Sequence, residues 1–438
     1  MQKEEYIQGN LFPPEATGGI SLEDVFTAYF DCRRRKRGMY NSLVFEVDYE
    51  RKCVELWRQI NVSTYHPIRS IVFIVFKPVI REVFAPSFES RVVDHLIAQK
   101  IEPLFEEQFI EDNYATRKSK GTLYGINRVA DFIRKCSANY TRDCYVMKLD
   151  IKSFFMSLPK QALYDNMSAF IGEHYHEDDL YTLLYMLRTI IFDRPELHCV
   201  RRCPRSYWEN QPKEKSLFNS DGKHGTPIGR LTSQLSASFA LNPHDHLVKE
   251  EWGISYYGRY VDDMLLVHKS KEYLLEVRER IREWLAERGF ILHPNKMYIQ
   301  HFTKGVSFVG GKVLPGRKYI SNRSLGFYYD AIEHWNNSAA AEQGFAEAHG
   351  EEFVAVINSY LGLMKHFNTY NMRCRICNMI GHEWWKVIYI GKGLHKAILK
   401  KQYKRLAIYK SEIHKDLIPK ISLRKINMVY DWAILNYK

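Results

Sequence analysis

Gly258–Val267 reads GRYVDDMLLV. Two adjacent aspartates stand between an aromatic, strand-like run and an apolar run, so two like charges lie where the flanks ask for burial. An Asp-Asp pair suits a hairpin turn, because aspartate readily bonds its own backbone there. On these ten residues alone that reading suffices.

A second reading needs a partner. CYVMKLDIKSFFMSL (Cys144–Leu158) is a buried-strand run that ends in Asp150 and passes into a turn. A helix-containing crossover separates it from the Asp-Asp stretch, which lets both strands enter one sheet. Carboxylates converging from adjacent strand ends repel unless a divalent cation offsets them, and Mg²⁺ takes such oxygen ligands while keeping waters and substrate phosphates. Two such ions can activate a 3′ hydroxyl and stabilise a departing pyrophosphate.

The 438-residue chain is long enough for two or three cores. Lys and Arg total 63 against 51 Asp and Glu, a formal net charge of +12 that favours a polyanionic partner. The excess is uneven: Arg33-Arg34-Arg35-Lys36-Arg37 is one block, and residues 386–438 hold 13 Lys and Arg against Glu412, Asp416 and Asp431. Either block, taken alone, is equally well read as a solvated face. No window approaches a membrane span, and MQKEEYIQGN has no apolar leader core. Eight cysteines in this length are read as reduced thiols, and the CxxC of Cys374 and Cys377, with only His382 nearby, lacks the second half of a zinc site.

Periodicity predicts helices over Leu22–Cys32, over SRVVDHLIAQKIEPLFEEQF and over INRVADFIRKC. IVFIVFKPVIREVFAP, interrupted by Pro78 and Pro86, predicts a hairpin with a basic tip at Lys77 and Arg81. Residues 193–224 are irregular and basic, a loop long enough to suspect function or disorder. LTSQLSASFALNPHDHLVKE predicts a helix, SKEYLLEVRERIREWLAERG another stopped by Gly289, and SFVGGKVLPGRKYIS a hairpin. Residues from Leu325 onward read as helical.

These motifs together resemble those of reverse transcriptases. GRYVDDMLLV resembles their YxDD motif, KLDIKSFF the first palm motif, and HGTPIGRLTSQLSASFAL, lying between them in order, the template-gripping motif. ERGFILHPNKMYIQ resembles the next palm motif, VSFVGG the primer-grip hairpin, and KPVIREVFAPSFESRVV the fingers pattern of group II intron-like enzymes. The resemblance implies an α+β right-hand polymerase fold, with an N-terminal region and fingers over 1–140 and a palm with an antiparallel sheet over 141–320, interrupted by a fingers insertion around 160–225. A helical thumb over 321–385 and a basic extension over 386–438 follow.

The same resemblance implies roles. Asp150, Asp262, Asp263 and Lys296 form the catalytic set; Asp150, Asp262 and Asp263, with Ile151 beside them, bind two Mg²⁺ ions, for which Mn²⁺ can substitute. Asp262 is the principal ligand of the pair, Asp263 the supporting carboxylate, and Lys296 lies near the leaving pyrophosphate. Lys77 and Arg81 meet the incoming triphosphate, as a lysine point charge and a forked guanidinium suit. Phe155, five residues after Asp150, is the steric gate that selects dNTPs, its alternative being an ordinary core ring. Ile228 and Gly229 line the nucleotide site, and Tyr260, Phe308 and Gly310 belong to the palm tip and primer grip. Arg117, Lys118, Lys400, Lys401, Lys404 and Arg405 are candidate RNA contacts, with Tyr403 and Tyr409 placed to stack on unpaired bases; the alternative for the tail is an amphipathic helix capping the thumb.

Within the family the chain most resembles diversity-generating retroelement enzymes, in REVFAPSFESRVVDHL, NYATRKSKGT, TPIGRLTSQ and SYLGLMKHFNTYNMR. There the apolar residue at Ile228 and the Gln at Gln234 accompany error-prone copying of adenines. Arg230, where Asn is more familiar, and the basic tail depart from that group. Defence-associated bacterial reverse transcriptases, which make DNA on a noncoding RNA against phage, share much of the motif set. Either way the implied partners are a structured noncoding or template RNA, nascent cDNA and dNTPs, with an accessory protein or a homo-oligomer besides and no membrane, in the cytoplasm of a bacterial cell or as a phage-encoded protein. Two rivals stay open: a nucleotide cyclase, which shares a palm with adjacent acids but lacks the fingers pattern, and an inactive RNA-binding scaffold, against which the presence of all three aspartates counts.

Overall fold

The computed structural model describes residues 19–34, 36, 39–76 and 79–404. Among them are twelve strands: β1 Ile71–Val75, β2 Arg81–Ala85, β3 Tyr145–Leu149, β4 Val200–Arg201, β5 Tyr257–Tyr260, β6 Asp263–His268, β7 Tyr298–His301, β8 Val306–Phe308, β9 Gly311–Leu314, β10 Arg317–Ile320, β11 Ile388–Ile390 and β12 Ala397–Leu399.

The central sheet has the order β5-β6-β3-β7 and is antiparallel throughout. Successive residues of a strand point to opposite faces, and here both faces are covered. Val146, Leu265 and Val267 pack with Ile126, Phe132 and Ile133 of the Thr122–Cys136 helix on one side. Met147, Leu149, Met264 and Leu266 pack with Leu274, Val277, Ile281 and Leu285 of the Lys271–Glu287 helix on the other. That double burial is why MLLV and YVM read as unbroken apolar runs. Ser270 caps the second helix by accepting from the Tyr273 amide at 3.0 Å, and Gly289 follows it with φ +78°.

A separate core gathers the N-terminal helices around the long Phe88–Gln108 helix, with Leu96, Ile97 and Ile101 facing inward and Pro103 accommodated inside the helix. The expected β1–β2 hairpin forms, with Val75 paired to Arg81. Lys77 and Pro78 at its tip lie outside the described residues. The stretch after Val306 is one strand richer than a hairpin: β8, β9 and β10 make a three-stranded sheet. The segment expected to be one helix over 231–250 is two, Leu231–Ala240 and Asn242–His246, followed by a π-helical turn, Leu247–Glu251.

Residues 193–224 are neither disordered nor free. β4 adds in parallel to β1, and Glu82 of β2, 3% exposed, accepts from Trp208 Nε1 (2.6 Å), Ser216 Oγ (2.8 Å) and the Leu217 amide (2.7 Å). One buried carboxylate thus fixes the insertion to the hairpin, and its three donors offset the cost of taking it out of water. Buried Arg230 reaches Asp94 (3.1 Å) on the long helix and Asp193 (3.0 Å) at the head of the insertion. The residue that departs from the family pattern therefore has a structural task here.

Beyond residue 321 the helices Asn322–Ala341, Phe345–Ala348, Gly350–Met364, Tyr370–Met379 and His382–Val387 pack around Trp384, whose ring stacks on Phe353 at 3.8 Å. The helical expectation fails after Val387, where β11 and β12 form an antiparallel hairpin. Asn358 clamps that hairpin from the Gly350–Met364 helix, with Nδ2 donating to the Ala397 carbonyl (2.9 Å) and Oδ1 accepting from its amide (2.7 Å). A boundary at 386 falls inside the His382–Val387 helix. No helix among the described residues is long and apolar enough to cross a membrane.

Glu82→Ala leaves the buried Ser216 hydroxyl and Leu217 amide unpaired at the cost of about 1–3 kcal/mol each, and the half-buried Trp208 indole without its acceptor. Limited trypsin digestion is expected to cut at Arg201, Arg202 and Arg205 several-fold faster in this variant, with the C-terminal helices as resistant as before.

Candidate active site

β5 and β6 pair Tyr260 with Asp263, so the hairpin turns on Val261 and Asp262 alone. Val261 has φ +56°, a conformation uncommon for a β-branched residue. β6 pairs with β3 up to Met264 opposite Leu149, which puts Asp150 and Asp263 at the same edge of neighbouring strands. Asp150 is held from a third side, because the His293 amide donates to its carbonyl at 2.8 Å and Ile151 bridges to Leu292.

The three expected carboxylates are therefore adjacent, but their electrostatic situations differ. Lys296 Nζ meets Asp150 Oδ2 at 2.9 Å, and Lys148 Nζ meets Asp263 Oδ1 at 2.9 Å. Asp262 has no ion pair among the described residues. Burial, then the charges of Asp150 and Asp263, push its carboxyl up to about 7, with Lys296 offsetting part of the effect. Lys296 thus stands on a carboxylate here, and Lys148, which the sequence reading passed over, does the same for Asp263. A lone lysine in the buried strand YVMKLD was the signal for it.

A divalent cation fits this donor set. The donors are all hard oxygens, and two of the three already carry ammonium groups as stand-in positive charge. Among the described residues no three His, Cys, Asp or Glu side chains close around one point. An ion held by Asp150 and Asp262 would take further ligands from water and substrate phosphates, as Mg²⁺ and Mn²⁺ do.

Around this edge, Phe155 is half-buried beside Phe154, and its carbonyl accepts from the Thr226 amide at 2.9 Å, which joins it to the TPIG segment. Ile228 is half-buried, and its carbonyl accepts from the Phe84 amide at 2.8 Å. Gly229, at φ +125°, has no alternative: a Cβ there would stand 2.5 Å from the Phe84 carbonyl oxygen. Arg81 is exposed at the start of β2. Tyr260 packs into the same cluster as Phe308, whose ring meets Tyr114 edge-on at 6.3 Å, and Gly310 has φ +89°.

The RNA candidates separate. Arg117 is engaged internally, bidentate to Glu106 at 2.7 Å and bonded to the Ile110 and Asn113 carbonyls, so its guanidinium is not free for a phosphate. Lys400 donates to the Trp385 carbonyl at 2.7 Å. Lys118, Lys401 and Lys404 are exposed, whereas Arg405 and Tyr409 lie outside the described residues.

Residues 78–313 match the protein family described as reverse transcriptase (RNA-dependent DNA polymerase). Among solved structures the chain is similar to apo telomerase from Candida tropicalis truncated from its C-terminal domain, at 16% identity and TM-score 0.39, over 58% of this chain and 55% of that one. It is also similar to telomerase from Candida albicans in complex with a TWJ fragment of telomeric RNA, at 12% identity and TM-score 0.41, over 74% of this chain and 61% of that one. The chain thus spans less than two thirds of the length of either. No curated protein matches it.

Without metal, ionised Asp262 destabilises the fold. Its folded value lies above the ordinary 3.8, so the stabilising proton is held at low pH and lost as pH rises towards 7. At pH 8 without divalent cations, Asp262→Asn is expected to melt several degrees higher than the natural chain, and the gap is expected to close towards pH 4 in scanning fluorimetry.

Proposed function

The chain belongs to the reverse transcriptase family and has its right-hand polymerase fold, and from that premise we propose that it extends a nucleic-acid 3′ end with dNTPs on an RNA template, using Mg²⁺ held by Asp150 and Asp262. The observation that carries the reading is the convergence of Asp150, Asp262 and Asp263 at one edge of a sheet buried on both faces. Such an edge is a rigid place to put charge, and rigid placement is what phosphoryl transfer asks of a protein.

Bound ions would supply Lewis acidity towards the 3′ hydroxyl and charge compensation for the departing pyrophosphate. The rest falls to the chain. Asp263, balanced by Lys148, supports the neighbouring carboxylate. Lys296 is poised to exchange Asp150 for a polyanion, since its side chain is 53% exposed. Arg81, with Lys77, would bind the triphosphate from the hairpin side. Phe155 would lie under the sugar and reject a 2′ hydroxyl by shape.

For biological role we favour templated diversification, in which a dedicated RNA is copied with errors at adenine. Ile228 supports it: a stiff apolar side chain offers the base pair no hydrogen bond, which suits loose selection. Gln234 is engaged elsewhere, accepting from Thr116 Oγ1 at 3.3 Å. Phage defence on a noncoding RNA is the second reading, favoured by the hairpin and basic segment that follow the helices after residue 380. Exposed Lys118, Lys401 and Lys404 would meet RNA phosphates in either role.

Asp262→Asn combined with Asp263→Asn is expected to keep RNA binding and lose Mg²⁺-dependent dNTP incorporation in primer extension; undiminished synthesis by that variant would sink the assignment. Phe155→Val is expected to raise ribonucleotide use relative to dNTP on the order of tenfold to a hundredfold, read from single-nucleotide incorporation. Sequencing the RNA that co-purifies with the protein separates the two biological roles.

A further inference from the structure

Arg259, the residue before Tyr260, is fully buried, and none of the chemistry above uses it. Its Nε donates to Asp245 Oδ1 and Oδ2 at 2.7 and 3.0 Å, and its Nη2 donates to Oδ2 at 2.6 Å and to the Ser238 carbonyl at 3.0 Å. Asp245 is itself fully buried and accepts from the Tyr257 hydroxyl at 2.6 Å. The Arg259 backbone is pinned as well, its amide donating to the Asp112 carbonyl and its carbonyl accepting from the Tyr114 amide, both at 2.9 Å. From this fixed base Nη1 reaches forward to the Val261 carbonyl at 2.8 Å.

That carbonyl belongs to the peptide group whose nitrogen is the Asp262 amide. Its plane sets the direction in which the Asp262 side chain leaves the backbone, since a planar peptide leaves only the flanking dihedrals free. Val261 sits in left-handed backbone that its branched side chain disfavours, so an unclamped tip would relax and swing Asp262 away. An ion pair that merely stabilised the core would need Asp245 alone. We propose that Arg259 is a positioning residue, which aims the Asp262 carboxylate by clamping the Val261 carbonyl from a guanidinium anchored on Asp245. What the aimed carboxylate does rests on the polymerase reading; the clamp itself rests on the geometry.

The test is Arg259→Lys in the full chain, which keeps a cation facing Asp245 while one ammonium cannot span Asp245, Ser238 and Val261 together. In metal-free protein, hydrogen–deuterium exchange over residues 259–264 is expected to rise about tenfold while the 271–287 helix keeps its protection. Mn²⁺ binding, followed by electron paramagnetic resonance, is expected to weaken about tenfold, and the half-saturating Mg²⁺ for primer extension to rise by a similar factor with KM for dNTP within about twofold. A folded variant with a lower Tm but unchanged tip exchange and unchanged metal dependence would show a structural ion pair only, and would overturn the proposal. If Arg259→Lys does not fold, Asp245→Glu moves the anchor by one methylene while keeping the charge pair: a higher Mg²⁺ midpoint supports the clamp, and a folded variant with an unchanged one refutes it. Should the natural chain neither bind Mn²⁺ nor extend primers, the polymerase reading falls, while the exchange measurement still decides the clamp.

Discussion

Repulsion among three carboxylates at one sheet edge is the constraint around which this molecule is arranged. Asp150, Asp262 and Asp263 are brought together by strand pairing, and the sheet that pairs them is apolar on both faces, so water cannot screen the charges from behind. Lys148 and Lys296 each balance one carboxylate, while burial and its two neighbours keep Asp262 well above the usual carboxylate range. A chain that accepts this cost in its resting state has kept charge where a polyanionic substrate and its cations would bring compensation.

The cost is met by rigidity around the edge. Three buried charged side chains tie separate parts of the chain together: Arg230 joins the long N-terminal helix to the insertion through two ion pairs, Glu82 joins that insertion to the β1–β2 hairpin through hydrogen bonds, and Arg259 joins the Asn242–His246 helix to the strand before the aspartates. Breaking either arginine's ion pair by removing one partner leaves an uncompensated buried charge, worth about 3–5 kcal/mol. Directional bonds of this kind fix relative orientation more closely than apolar contact does. Gly229 adds a steric counterpart, letting the TPIG segment approach the β2 backbone more closely than any side chain would permit.

Much of this was legible in order and spacing. GRYVDDMLLV, KLDIKSFF and TPIGRLTSQ name the sheet edge because motif residues next to the chain's turns are set by local geometry, and helical periodicity over 88–108 and 271–287 reports packing directly. Contacts between residues distant in the chain were not legible. Nothing in REVFAP says that its glutamate holds Trp208, Ser216 and Leu217, so residues 193–224 read as a loose loop. Arg117 read as a free cation because Glu106 lies a helix end away, and the β11–β12 hairpin escaped because three-residue strands carry too little alternation to register against a helical background. Charged residues inside apolar strands, Lys148 and Arg259 among them, were the overlooked cue: a strand that buries both faces keeps a charge only where a partner waits.

The Asn358 clamp on the β11–β12 hairpin bears on where this chain divides into folding units. Because Val387, Ile388, Ala397 and Leu399 share a core with Trp384 and Phe353, the hairpin is not a removable appendage on a finished helical bundle. The junction between the hairpin and those helices is apolar packing. The hairpin and the helices beneath it form one core, so deleting the hairpin would expose the apolar residues it covers.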